Sequence, residues 1–397
     1  MLQEKIEYYR KLALDRLQPS EKDLRHGLEL HQNSYVFDAY GFMALGWGDS
    51  SRIKMLIEKN ASRDEVRAAT EELCMTECYK DPANQAVLKE VWDAAGVDCI
   101  FQNSGEESNE IERLIRRLSN YTSTVDRIPF YERAVYPEQL RPIRERGNKA
   151  LYFTTNGVPV STKSISAEEC LSHIGVFANF GVRMMHMTYN RRNLLGDGCA
   201  EEANGGLSHF GKMAVEEMNR CGVIPDVAHS GQKTSLDTAL CSRKPVVASH
   251  TVAGGLSRHF RRKDDEVVQA IKATGGYVGI CAHGWFLEGS MDIVAMLDHI
   301  DYIAKKFGVD HVAIGTDHGF GWAKRDVETP GYRNIFEQFW PRPSDVDGTM
   351  TREQYDSMAW TNWPLFTVGL VQRGYSDEEI RKIIGGNVLR VAEESLA

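Results

Sequence analysis

The chain has 397 residues, 42% of them hydrophobic and 26% charged, enough for one large core, and no run approaches the roughly 18 apolar residues that a membrane span needs. A formal net charge of −9 without a long basic run excludes an electrostatic footprint for nucleic acid. A small-molecule or peptide partner is favoured.

The opening "MLQEKIEYYRKLALDRL" mixes charges at helical spacing and carries no basic region, apolar run and cleavage site of an export signal, so the cytoplasm is the expected compartment. The eight cysteines are scattered, and only Cys74 and Cys78 stand close, at an i, i+4 spacing. A single Cys-x3-Cys predicts reduced thiols on one helix face rather than a zinc site.

Residues 1 to about 32 read as two amphipathic helices, and "SYVFDAYGF" as the first strand. Two further helices follow, "RDEVRAATEELCMTECYK" and "NQAVLKEVWDAAG", the second with a glycine stop. "VDCIFQNSG" is a strand into a turn, and "NEIERLIRRLSNYTSTV" a helix. From there strands and helices alternate. The strands are "KALYFTTNG", "VRMMHMTYN", "VIPDVAHSG", "PVVASHTVAGG", "YVGICAHGW" and "HVAIGTDHGFG". The tail, about 322 to 397, is helical decoration containing Trp322, Trp340, Trp360 and Trp363, with a capping box at Ser376 and Glu379. No linker or repeat divides the chain, so a single domain over 1–397 is expected. This βα rhythm predicts an α/β fold, a closed (β/α)8 TIM-type barrel with extra N- and C-terminal helices. A Rossmann-type sheet is disfavoured because no Gly-x-Gly-x-x-Gly follows the first strand.

In such a barrel the strand ends carry the chemistry. Here they hold Asp38 and Tyr40, Thr155 and Asn156, Tyr189 and Asn190, His229, His250, and Asp317 with His318. Two neutral imidazoles and a carboxylate from three strand ends suit a divalent metal with an open position. His318, next to Asp317, is a candidate replacement ligand, while His186, His209, His283 and His311 read as ordinary strand or helix residues. Downstream, "SRHFRRKDDE" is a local basic cluster, either a solvated loop or an anion-capturing one.

The series "GLSHFGKMAVEEMNRCGVIPDVAHSG", "KPVVASHTVAGGLSRHFRRKDDE", "IDYIAKKFGVDHVAIGTDHGFG" and "RGYSDEEIRKIIGGNVLRV" resembles the membrane (renal) dipeptidase family of zinc peptidases, in the amidohydrolase superfamily. The similarity runs in order from about Ala150 to Val391. It implies a distorted barrel, usually dimeric, with two zinc ions bridged by a glutamate, hydrolysing dipeptides and in some members β-lactams. Carried over by position, His229 and His250 match the two histidines on one metal, and Asp317 the aspartate on the other. Arg261 matches the arginine that takes the substrate carboxylate, a task suited to its planar fork.

The departures narrow the expectation. Tyr40 and Phe42 stand where the family has its His-x-Asp clip, Thr155 or Asn156 where it has the bridging glutamate, and Tyr189 where a histidine polarises the scissile carbonyl. Such neutral side chains argue against a bridged dinuclear centre. The expected enzyme is a dipeptidase-like hydrolase of a small carboxylate-bearing amide, with one Zn2+ or other divalent ion on His229, His250 and Asp317. Asp317 would be the base and Tyr189 an oxyanion donor, with Tyr40 and Asn156 near the substrate. The alternatives are a lyase, decarboxylase or isomerase acting on a small carboxylate, and a metal-free binding protein.

Overall fold

The structure is a computed structural model describing residues 2–42, 49–105, 111–161, 163, 166–319 and 350–396. Trp322 and Trp340 of the expected decoration lie outside the described residues.

Ten strands are described: β1 (Phe37–Gly41), β2 (Cys99–Asn103), β3 (Tyr131–Arg133), β4 (Lys149–Thr155), β5 (Val182–His186), β6 (Ile224–Asp226), β7 (Ala248–Ala253), β8 (Arg262–Lys263), β9 (Val278–Ile280) and β10 (Val312–Ile314). They form two parallel sheets, one running β1-β2-β4-β5-β6 with β3 beside β4, the other β10-β9-β7-β8. Two seams join them. Val227 N–H donates to Val247 O at 2.8 Å, beside the Asp226–Val247 bridge. At the other seam Asp317 N–H donates to Tyr40 O and Phe42 N–H to His318 O, both at 2.9 Å. The ring β1, β2, β4, β5, β6, β7, β9, β10 therefore closes as the sequence predicts, all parallel, in the manner of a (β/α)8 barrel. Backbones approach closely at the second seam: a Cβ on Gly41 would meet His318 O at 2.8 Å. The short strands β3 and β8 and the helix Leu140–Glu145 were not anticipated, being too brief to show a period.

Strand alternation divides the core. Phe37, Phe101, Tyr152, Met184, Ile224, Val247, Tyr277 and Ala313 fill the inside of the ring, with Phe37, Phe101 and Tyr152 stacked at centroid distances of 5.2 and 5.3 Å. The larger outer cluster lies between barrel and helices. Two residues beyond Met184, Ile224 and Val247 come His186, Asp226 and Ser249, all fully buried. That layer is polar and lies under the carboxyl mouth of the ring.

The terminal helices are pinned to the barrel by polar contacts. On Glu21–Gln32, His31 contacts Thr367 Oγ1 at 2.8 Å and Ala95 O at 2.9 Å. Asp38, inside β1, accepts from Thr316 N–H at 2.9 Å, Thr316 Oγ1–H at 2.6 Å, Trp360 Nε1–H at 2.8 Å and Trp363 Nε1–H at 3.3 Å. Burial nonetheless raises its carboxyl to about 6 against those hydrogen bonds. The capping box at Ser376 and Glu379 is present. Cys74 and Cys78 are buried on the helix Arg63–Lys80, neither in a disulfide among the described residues.

Candidate active site

His229 follows β6 and His250 lies in β7, at a register irregularity between Ala248 and Thr251. Such irregularities re-aim side chains beside functional sites. The two rings meet edge to face at 5.0 Å, with their Nε2 atoms 3.0 Å apart. Their outer nitrogens are already engaged. His229 Nδ1 lies 2.7 Å from Asn190 Oδ1, which also accepts from the Cys199 thiol. His250 Nδ1 lies 2.8 Å from Ser249 Oγ, whose own hydrogen goes to Asp226 Oδ2. In that arrangement both Nδ1 atoms carry the ring hydrogen, and each Nε2 presents a lone pair to the other. Burial, and then the Arg261 charge, hold both imidazoles well below their ordinary pKa, hence neutral. Two neutral nitrogens facing each other with oriented second partners make a chelating pair for a soft-to-borderline cation.

Aromatic rings enclose this pair. Tyr40 stacks on His250 at 3.9 Å with planes 14° apart, and Tyr189 on His229 at 4.2 Å. Tyr40 Oη donates to Asn156 Oδ1, and Phe42 packs edge-on against Tyr40 at 5.6 Å. Thr155 Oγ1 turns to Gly157 O at 2.8 Å. Tyr40 and Asn156, expected near the substrate, thus satisfy each other, and the phenol ring takes up space beside His250. A carboxylate that could bridge two cations does not stand at either 155 or 156.

Arg261 is fully buried, its Nη2–H donating to His250 O at 2.8 Å and Nε–H to Ala228 O at 3.3 Å. Among the described residues its Nη1 has no hydrogen-bond partner, although the guanidinium sits 5.5 Å from the Phe286 ring centre. A buried guanidinium nitrogen left unpaired is costly, which suits an anionic ligand oxygen.

Asp317 stands at the seam with a left-handed backbone, φ 56°, a conformation that non-glycine residues adopt mostly at turns and functional sites. Its Oδ2 lies 3.1 Å from His283 Nε2, and both residues are partly exposed. His318 is buried, 5.0 Å from the His283 ring and 5.1 Å from Tyr355, and burial lowers it to about 3. Among the described residues, the group whose ligand atoms approach one another within 4.8 Å is His186, Asp226 and His250. It includes neither Asp317 nor His318.

The sequence reading set aside His186 and His283; the structure brings both to the mouth of the barrel. The available signal for His186 was parity, because it lies two positions beyond the inward-facing Met184. For His283 it was position, three residues past the end of β9. Buried Lys263 was also missed. Burial lowers it to about 7, and its Nζ–H donates to Ser230 O at 2.5 Å.

Comparison with known proteins follows the same outline. Residues 85–342 match the family model described as membrane dipeptidase (peptidase family M19). The dipeptidase tcpJ of Claviceps purpurea is 29% identical over 228 residues, 56% of this chain and 47% of its own length. The dipeptidase verJ of Clonostachys rogersoniana is 30% identical over 230 residues, 55% of this chain and 50% of its own. The chain therefore spans about half the length of the curated relatives it matches. An amidohydrolase from Pseudomonas aeruginosa shares the fold with a TM-score of 0.69 at 24% identity, over 93% of this chain and 98% of that one. The probable dipeptidase PvdM from the same organism gives 0.67 at 22%, over 95% and 99%. With the family match extending over more than half of the residues, and with the barrel and its histidine pair in place, this chain belongs to the membrane dipeptidase family, peptidase family M19.

Proposed function

We propose that the chain is a metal-dependent hydrolase of a small amide or dipeptide-like molecule bearing a carboxylate, working with one divalent cation rather than two. The observation that carries this reading is the His229–His250 pair, its Nε2 atoms 3.0 Å apart and its outer nitrogens engaged. The donor set fits one cation of the zinc type. It does not fit a bridged pair, because Tyr40, Phe42, Thr155 and Asn156 offer no carboxylate or imidazole. When bound, the cation supplies Lewis acidity at a carbonyl and lowers the pKa of a water.

The chain's own residues do the rest. Arg261 Nη1 takes one oxygen of the substrate carboxylate and fixes the amide over the histidine pair. Asp317, partly exposed and oriented by His283, receives a proton at its carboxylate. Tyr189, stacked on His229, lines the approach to the pair and excludes water from that side. The eight free cysteines support a reducing, cytoplasmic setting, and among the described residues no helix is long and apolar enough to cross a membrane.

One observation favours a second reading, a metal-free binding protein: the Tyr40 ring packed 3.9 Å from His250. A panel of dipeptides and N-acyl amino acids, followed by amine release with and without added zinc, tests the first reading. Zinc-dependent release supports it; binding of the same panel without release, at any zinc concentration, supports the second.

A further inference from the structure

We propose that His186 and Asp226 are metal ligands in this chain, holding the cation together with His250. The inference rests on the one-cation reading above and adds to it the ligands that complete the site.

Three adjacent strands converge here. His186 ends β5, Asp226 ends β6 in direct register with it, and His250 lies in β7. One ligand atom from each lies within 4.8 Å of the others, and all three side chains are fully buried. His186 Nε2 comes within 2.7 Å of Asp226 Oδ2, yet neither nitrogen of His186 has a hydrogen-bond partner among the described residues. The contact is short but misaligned for an N–H···O bond. A fully buried imidazole with both nitrogens unsatisfied is costly unless something else engages it.

The surroundings of Asp226 point the same way. Asp226 is fully buried, and its Oδ2 accepts the Ser249 hydroxyl. Its Oδ1 accepts from Ala228 N–H at 2.9 Å and Ser249 N–H at 3.0 Å, which fixes the carboxylate plane. Its Oδ2 faces His186. A fully buried carboxylate flanked by two imidazoles is a donor set that a cation satisfies. Two imidazoles and one carboxylate suit zinc, manganese or iron(II). Tyr40 covers the ring faces, stacked 3.9 Å from His250 and 5.3 Å from His186, which leaves the in-plane lone pairs of the two imidazoles to a cation.

The test is zinc binding to metal-stripped full-length protein by equilibrium dialysis, for wild type, His186→Gln, Asp226→Asn and His229→Gln, with thermal melts of the stripped forms to establish that each folds. His186→Gln is expected to weaken zinc more than about 100-fold, beyond what loss of an outer hydrogen bond gives, and to change the visible spectrum of the Co2+ form. A zinc-edge anomalous map of wild-type crystals is the second measurement, needed where a variant does not fold, and is expected to place the ion against His186 and Asp226. Wild-type affinity and an unchanged Co2+ spectrum in His186→Gln, with binding lost in His229→Gln, would overturn this inference and leave the one-cation reading standing. Failure of wild type to take up zinc would overturn both.

Discussion

His229 Nε2 and His250 Nε2 face each other at 3.0 Å, each imidazole steered from behind by a different residue, Asn190 for one and Ser249 for the other. The steering residues are therefore as testable as the ligands. Replacing Ser249 by Ala removes the acceptor that sets the His250 tautomer, and outer-shell losses of this kind cost roughly 10- to 100-fold in metal affinity. Zinc titration of Ser249→Ala is expected to show that loss with the melting profile largely retained. Unchanged affinity would mean that the tautomer is set some other way.

Arg261 offers one unpaired nitrogen to the site. A hydrogen bond to a charged group contributes about 1.5–3 kcal/mol, or roughly 10- to 150-fold. Arg261→Lys keeps the charge and loses the fork, so a small carboxylate inhibitor should bind at least about 10-fold more weakly, while its uncharged amide is unaffected. Competition binding with the two compounds checks this; equal losses for both would refute the carboxylate assignment.

Tyr40 and Asn156 are paired through the phenol hydroxyl. Tyr40→Phe leaves Asn156 Oδ1 buried without that donor, at a cost of about 1–3 kcal/mol, and leaves the ring stack on His250 intact. Urea unfolding should register the loss, while zinc affinity stays within about 2-fold of wild type. A large drop in zinc affinity would instead make the phenol oxygen a ligand.

Asp38 joins β1, β10 and the C-terminal tryptophans, with its carboxyl raised to about 6 by burial. The folded state then holds this proton more tightly than the unfolded chain. The contribution is fully present below the ordinary carboxylate pKa near 4 and is lost as pH rises through about 6. Asp38→Asn lowers the overall baseline by upsetting the hydrogen bonds that Asp38 accepts, but it should flatten this part of the stability profile. Denaturant midpoints at intervals from pH 4 to 7 read the slope, and an unaltered slope in the variant would remove Asp38 as its source.

Much of the fold was legible because barrel strands are short apolar runs bounded by glycine, and each of the eight ring strands fell inside a segment read as strand. The helices were legible from their spacing and caps, as at Ser376. The seams were not, since joining Gly41 to His318 depends on contacts nearly 280 positions apart that no local pattern encodes. Of the residues singled out in the sequence, His229, His250 and Arg261 lie together in the structure. The fully buried layer of His186, Asp226 and Ser249 was missed because a polar residue ending an apolar strand looks like the start of a loop. Only the closed ring shows that Met184 and His186 face inward together. Asp317 illustrates the converse: its identity was readable, but its partner His283 depends on where β9 and β10 end.

The central claim is that one cation, not two, completes this site. Elemental analysis of the purified full-length protein, saturated with zinc and then dialysed against metal-free buffer, tests it most directly. Close to one zinc per chain is expected, lost in the His250→Gln variant. Two zinc ions per chain, or none, would contradict it.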